Sequence, residues 1–175
     1  MSSFTGLLNN SILLLALGVI YDTLGVYKLP SRELRNSISG LLIGLVGMAV
    51  MLTPWEFLPG IFFDTRWILL SLCGLFFGLV PTLIAVFMTV GLRLFQGGGG
   101  MYVGSLVIIS SAAIGILWHY LAQQRNWLLS WRNLYLFGLL VQLDVLSCMF
   151  LMPENVRYKI LAAITIPLLT VFPIA

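Results

Sequence analysis

The sequence predicts an all-α integral membrane protein of about six transmembrane helices in a compact bundle, and three observations carry that reading. Of its 175 residues, 60% are hydrophobic and only 9% are charged, with a mean hydropathy of +1.05, where a soluble domain carries roughly a quarter charged residues. The apolar residues fall into runs close to the roughly 20 that a helix needs to cross a hydrocarbon core about 30 Å thick. Short polar joints separate the runs and leave little chain for a soluble domain. No β-sheet is expected, because a lipid-exposed backbone must satisfy its hydrogen bonds within each segment.

The first run, residues 7–27, follows no basic leader and precedes no small-residue cleavage site, so it is a retained helix rather than a signal peptide. It ends where Pro30 and a charge cluster at Lys28, Arg32, Glu33 and Arg35 make a loop. The second run, residues 37–53, stops at Pro54. The sequence WEFLPGIFFDTR then forms an interfacial connection with Trp55 and Trp67 in an aromatic belt. Residues 67–92 make a third run of 26, about 39 Å as a helix. That exceeds the bilayer core, so it must tilt, project or break, and Pro81 is the expected break. Arg93 and the four glycines Gly97, Gly98, Gly99 and Gly100 form a turn before the fourth run, residues 101–121. A tryptophan-bearing loop leads to the fifth run, 133–152, which ends at Pro153. The sixth, 160–175, has 16 residues, about 24 Å, and is expected to continue beyond the given sequence. All of residues 1–175 are read as one domain.

Small residues recur at helix-packing spacing: Gly40 and Gly44, Gly74 and Gly78, Gly100 and Gly104. Such pairs let backbones approach closely. Helix contacts are expected at Gly44, Gly78 and Gly104. The cysteines, Cys73 and Cys148, both lie in apolar runs and are read as small packing groups. No HExxH, GxSxG or P-loop is present, the six acidic residues form no obvious pair, and the one histidine, His119, lies between Trp118 and Tyr120 at a helix end as an interfacial side chain. Catalytic residues, metal ligands and cofactors are therefore not expected within this segment. A net charge of +3 without a clustered basic stripe argues against nucleic acid as a partner.

Three polar features stand out, because polar groups at membrane depth are costly and tend to mark function. Asp64 and Arg66 stand at the mouth of the third run, where they either brace a binding site or anchor a helix at the headgroups. Arg93 lies beside the glycine turn, whose exposed backbone N–H groups, with a guanidinium fork, suit a carboxylate or phosphate; the alternative is a flexible turn with a snorkelling arginine. Gln142 and Asp144 lie near the middle of the fifth run. There a charge costs about 2.5–3.5 kcal/mol, so Asp144 is expected to face inward, as a proton-linked switch, an arginine partner or a neutral acid bonded to a neighbouring helix. With Ser105, the ligand-binding candidates are Asp64, Arg66, Arg93 and Gly97 to Gly100.

The order of these motifs resembles a known family. The segments GLLIGLVGMAVM, PWEFLPGIFFDTRWILLSLCGLFFGLVPTLIA, GLRLFQGGGG and AAIGILWHYL are similar to the LytS/YhcK-type five-transmembrane receptor domain from about Gly40 onward. The most specific part is Asp64-Thr65-Arg66 followed by GLxxGxxP and the arginine and glycine turn. Where the family commonly has a histidine in the fifth helix, this chain has Gln142. The resemblance implies the N-terminal sensor of a bacterial signalling protein in the cytoplasmic (inner) membrane. It further implies a histidine kinase or diguanylate cyclase output module, a small external ligand near Arg66, Arg93 and the glycine turn, and a homodimer formed through signalling helices. The architecture also resembles the six-helix S-components of vitamin uptake transporters, the alternative reading. With the third run as one crossing, the loops after the first, third and fifth helices hold six basic residues and the opposite face three. The positive-inside rule then opposes the orientation that a cytoplasmic output module requires, and the family's orientation is the one expected.

Overall fold

The structure, a computed structural model, describes residues 30–52, 55–58, 61–63, 65–124 and 130–151, together with Gly18 and Val26. The expected first and sixth helices and Asp64 lie outside the described residues. Within them the elements are α1 (Arg32–Leu52), β1 (Trp55–Leu58), β2 (Ile61–Phe63), α2 (Arg66–Phe77), α3 (Leu79–Gln96), α4 (Met101–Gln124) and α5 (Trp131–Met149). By length and composition, α1, α3 and α4 can each cross a membrane, and α2 is a shorter apolar helix.

Three expectations are corrected. The second helix starts earlier than residue 37: Ser31 accepts the Leu34 N–H on its Oγ at 3.2 Å, so Arg32, Glu33 and Arg35 enter the first turn instead of forming a loop. The connection between α1 and α2 contains an antiparallel hairpin, with Trp55 opposite Phe63, Leu58 opposite Ile61 and a register shift between Glu56 and Leu58. Aromatic and β-branched residues on either side of Pro59-Gly60 favour it, and a backbone outside hydrocarbon has no need to be helical. The third run is two helices, and the break falls at Gly78 rather than Pro81. Gly78 has φ 76° and ψ −158°, a conformation essentially confined to glycine. Pro81, three residues on, lies in the first turn of α3, where its missing N–H removes no helix bond.

Contacts between named residues set the helix directions. Gly40 meets Pro81, Gly44 meets Ala85 and Met88, and Gly47 meets Thr89, while Gln96 Nε2 donates to the Met51 carbonyl at 3.5 Å; α1 and α3 therefore run parallel. Gly104 lies against Arg66, Gly74 against Ala112, Gly115 and Ile116, and Gly78 against His119, so α2 and α4 are also parallel. On α4 and α5, Ser110 reaches Asp144 and Trp118 packs on Phe137 with ring centroids 5.6 Å apart; this pair is antiparallel. Backbone closeness is real at these seams. A Cβ on Gly40 would fall 2.7 Å from the Pro81 carbonyl oxygen, and one on Gly74 would fall 2.7 Å from Ile116 N.

Two apolar clusters sit either side of α2. Ile43, Leu69, Leu70, Cys73, Ala85, Ile108 and Ala112 join it to α1, α3 and α4; Trp67, Leu75, Val107, Phe137, Val141 and Val145 join it to α4 and α5. Leucines and phenylalanines face outward from the helices, with Phe87 83% exposed, as on a surface solvated by lipid. Exposed Tyr102 and Tyr120 lie 18 residues apart on α4, about 27 Å along its axis. That matches a hydrocarbon core with an aromatic side chain at each interface.

Candidate functional site

The break at Gly78 decides what the two arginines can do. A straight helix over residues 67–92 would carry Arg66 and Arg93 to opposite membrane faces. Because the chain reverses after 12 residues of α2, the start of α2, the end of α3 and the start of α4 lie at one end of the bundle. Arg66 and Arg93 converge there on Gly104. A Cβ at Gly104 would lie 2.8 Å from Arg93 Nε and 3.1 Å from a terminal nitrogen of Arg66. Gly104 is thus a contact position, as expected, but what it admits is two guanidinium groups and not a helix backbone.

Arg66 is 8% exposed and Arg93 is half-buried. Two hydroxyls lie next to the converging positions in sequence, Thr65 beside Arg66 and Ser105 beside Gly104. Thr65 Oγ1 and Ser105 Oγ are buried and have no hydrogen-bond partner among the described residues. The glycine turn closes the same end. Gly97 and Gly98 have φ of 67° and 88°, which L side chains rarely adopt. Gly97 N–H donates to the Arg93 carbonyl at 3.3 Å, and Met101 N–H to the Gly98 carbonyl at 3.1 Å. A Cβ on Gly97, Gly98 or Gly99 would meet nothing within 4 Å, so the turn stands open. Two helix N-termini, those of α2 and α4, lie at this end, and their dipoles favour negative charge there. Tyr102, the second residue of α4, is exposed at this end, as suits a membrane interface.

Gln142 and Asp144 lie elsewhere. Ser110 Oγ donates to Asp144 Oδ2 at 2.6 Å and lies 3.9 Å from Cys148 Sγ. Ser110 is six residues beyond Gly104, about 9 Å deeper along α4. Asp144 is half-buried and accepts this hydrogen bond from a neighbouring helix. Gln142 is 2% exposed, and its Oε1 has no hydrogen-bond partner among the described residues.

The sequence reading passed over His119. Its ring is half-buried at the end of the bundle away from the arginines, with Nδ1 2.7 Å from the Leu75 carbonyl oxygen and Nε2 3.0 Å from Gln123 Nε2. It also lies against Gly78, where a Cβ would come within 3.2 Å of Nε2. A signal for this was present: Ala112, Gly115 and His119 recur at helical spacing, which puts the imidazole on the seam of small residues that faces α2.

Residues 19–175 match the family described as 5TMR of 5TMR-LYT. Neither the comparison with curated proteins nor that with solved structures gives a match. The family match spans nearly the whole chain and bears out the resemblance carried by the third-run motifs. The chain therefore belongs to the LytS-type five-transmembrane receptor family, and is a membrane sensor domain of signalling proteins, sensory rather than catalytic.

Proposed function

We propose that this domain binds a small anion, a carboxylate foremost, between Arg66 and Arg93 at one membrane interface, and reports its arrival to a histidine kinase or diguanylate cyclase output module through its last helix. The observation that carries the reading is the convergence of two guanidinium groups on Gly104 beside two helix N-termini. Two guanidiniums converging on one point offer forked hydrogen-bond donors matched to a carboxylate or phosphate. The open turn at Gly97 to Gly100, the Ser105 hydroxyl and, next to Arg66, Asp64 complete the proposed site. For signalling, the anion must bind one helix arrangement more tightly than another. The family match favours this sensor reading over an uptake subunit.

The reversal at Gly78 also bears on orientation. It moves Arg93 to the face that holds Arg66. Arg32, Arg35 and Arg132 lie at the opposite face, and Lys28 and Arg125 adjoin it in sequence. Arg157 and Lys159, after α5, adjoin the arginine face in sequence, so the six-to-three bias becomes five basic residues on the opposite face against four. With Arg66 and Arg93 committed to the anion, the positive-inside rule favours that opposite face as cytoplasmic and the arginine site as external. After α5, which runs toward the arginine face, one further crossing returns the chain to the cytoplasm. The conflict between charge bias and a cytoplasmic output module came from counting the third run as one crossing. In this proposal the domain sits in the bacterial inner membrane and pairs with a second copy through its signalling helices.

The test is calorimetry on the purified domain in lipid nanodiscs with acetate, lactate, succinate and inorganic phosphate, repeated on Arg66→Ala and Arg93→Ala. Binding by the parent that is lost in both variants, with the fold retained, supports one shared site. Unchanged affinity in both removes the arginines from the mechanism.

A further inference from the structure

At the face opposite the arginines, α2 ends in a joint that its own backbone does not complete. The last carbonyls of a helix have no partner within it. Here Gly74 accepts from the Gly78 N–H at 3.2 Å, and Gly78, turned to φ 76°, accepts from Thr82 Oγ1 at 2.6 Å. The carbonyl between them in space, that of Leu75, is met by His119, 44 residues away on α4. A carbonyl oxygen only accepts, so Nδ1 carries the proton and Nε2 is left to accept from the Gln123 amide. Both ring nitrogens are engaged, with Nδ1 as the donor to α2.

Along its length α2 packs on α4 through apolar contacts, and His119 adds a directional polar contact in its last turn. The two helices touch backbone to backbone. A Cβ on Gly74 would fall 2.8 Å from the Gly115 carbonyl carbon, and one on Gly115 would strike the Ser71 carbonyl. On the line of closest approach Ser71, Gly74, Ala112 and Gly115 are small, while Leu70 with Ile108 and Trp67 with Val107 pack on either side of it. The helix is 12 residues long, about 18 Å, with Arg66 as its first residue and Leu75 in its last turn. A displacement at one end is therefore transmitted to the other.

We propose that His119 is a positioning residue of the arginine site: its hydrogen bond to the Leu75 carbonyl holds α2 along its axis and so sets where Arg66 meets the anion at the other membrane face. This rests on the arginine pair being the ligand site. By linkage the relation runs both ways. An anion that draws Arg66 toward Arg93 pulls on α2 and alters the His119 contact, carrying the binding event across the membrane to the face proposed as cytoplasmic.

The chain has one histidine, so selective ¹⁵N-histidine labelling of the whole domain in nanodiscs yields a single imidazole. The expected spectrum is the Nδ1–H tautomer, with pyrrole-type Nδ1 and pyridine-type Nε2, and a shift of these resonances when the tightest binding of acetate, lactate, succinate and phosphate saturates the site. The Nε2–H tautomer, or no response to a bound anion, overturns the proposal. The variant series then asks whether the Nδ1 donor matters. His119→Asn places an amide N–H where Nδ1 stands, His119→Gln places one nearer Nε2, and His119→Phe keeps only the ring. Anion affinity should fall about tenfold in the Phe and Gln variants, the equivalent of about one hydrogen bond, and stay within about twofold of the parent in Asn. Equal loss in Asn and Phe, or no loss in Phe, contradicts a positioning role. If His119→Phe does not fold, the tautomer and its response to anion decide alone. Binding that is abolished by Arg93→Ala yet untouched by His119→Phe overturns the positioning role while leaving the arginine site standing; absence of binding by the parent sinks both.

Discussion

Replacing Gly104 with alanine should separate ligand binding from fold stability, because of what surrounds that position. The added Cβ lies 2.8 Å from Arg93 Nε and 3.1 Å from Arg66, against ordinary contact that begins at 3.4 Å. Both atoms belong to the far ends of flexible side chains, so the arginines retreat, by about 0.6 and 0.3 Å from those distances. Charge-assisted hydrogen bonds have a narrow optimum near 2.7–2.9 Å and contribute about 1.5–3 kcal/mol each. Shifting two of them by about half an ångström should cost on the order of 1.4 kcal/mol, a tenfold loss of anion affinity. The fold should not suffer, since alanine in a helix interior is about 1 kcal/mol better than glycine. Calorimetry gives the affinity and a melting curve in nanodiscs gives the stability. An affinity equal to the parent's would refute the argument that Gly104 exists to admit the two guanidiniums. A large fall in melting temperature would show that the position is part of the helix packing instead.

Other substitutions test the packing. Gly115→Ala, on the same helix, drives a Cβ into the Ser71 backbone carbonyl, which cannot rotate away, so the melting temperature should drop by several degrees through an overpacking cost of about 1–3 kcal/mol. Gly78→Ala meets both a positive φ and the His119 ring and should lose about 1–3 kcal/mol in chemical or thermal unfolding. Gly91→Ala, with nothing within 4 Å of the new Cβ, should leave stability unchanged or raise it by up to about 1 kcal/mol. Ser110→Ala removes the donor to Asp144 and should destabilise the α4–α5 pair by about 1–3 kcal/mol, whereas Asp144→Asn, which keeps an acceptor oxygen for Ser110, should cost less; the reverse order in melting curves would contradict the assignment.

What the sequence disclosed and what it withheld follow from the range of the forces involved. The apolar runs are set by the thickness of the bilayer core, so the helical segments within residues 30–151 were legible, with ends that shifted by a few residues wherever a cap such as Ser31 decided them. The position of the break was not legible. Proline is the stronger local signal, yet Pro81 is harmless in a first helical turn, and the break falls at Gly78, which has a φ of 76° and lies against the ring of His119, a residue 41 positions away in sequence. The hairpin was missed because the rule applied there governs backbone inside hydrocarbon. Arg66 and Arg93 were visible as costly polar residues in an apolar chain. A site drawing on both was expected from the family resemblance, on condition that the third run breaks or tilts, but their meeting at Gly104 was not visible, since it depends on where the chain reverses. His119 was passed over because its partner is a backbone carbonyl, which leaves no mark in a sequence.

The claim on which the account turns is that Arg66 and Arg93 form one site, and a double-mutant cycle on anion affinity measures it directly. Arg66→Ala, Arg93→Ala and the double variant are titrated calorimetrically in nanodiscs with whichever of acetate, lactate, succinate and phosphate binds the parent most tightly. If the arginines share the anion, each single variant should lose about tenfold or more and the double variant little beyond the worse single, a coupling of about 1 kcal/mol or more. Losses that simply add in the double variant, or single variants that bind like the parent, would contradict it.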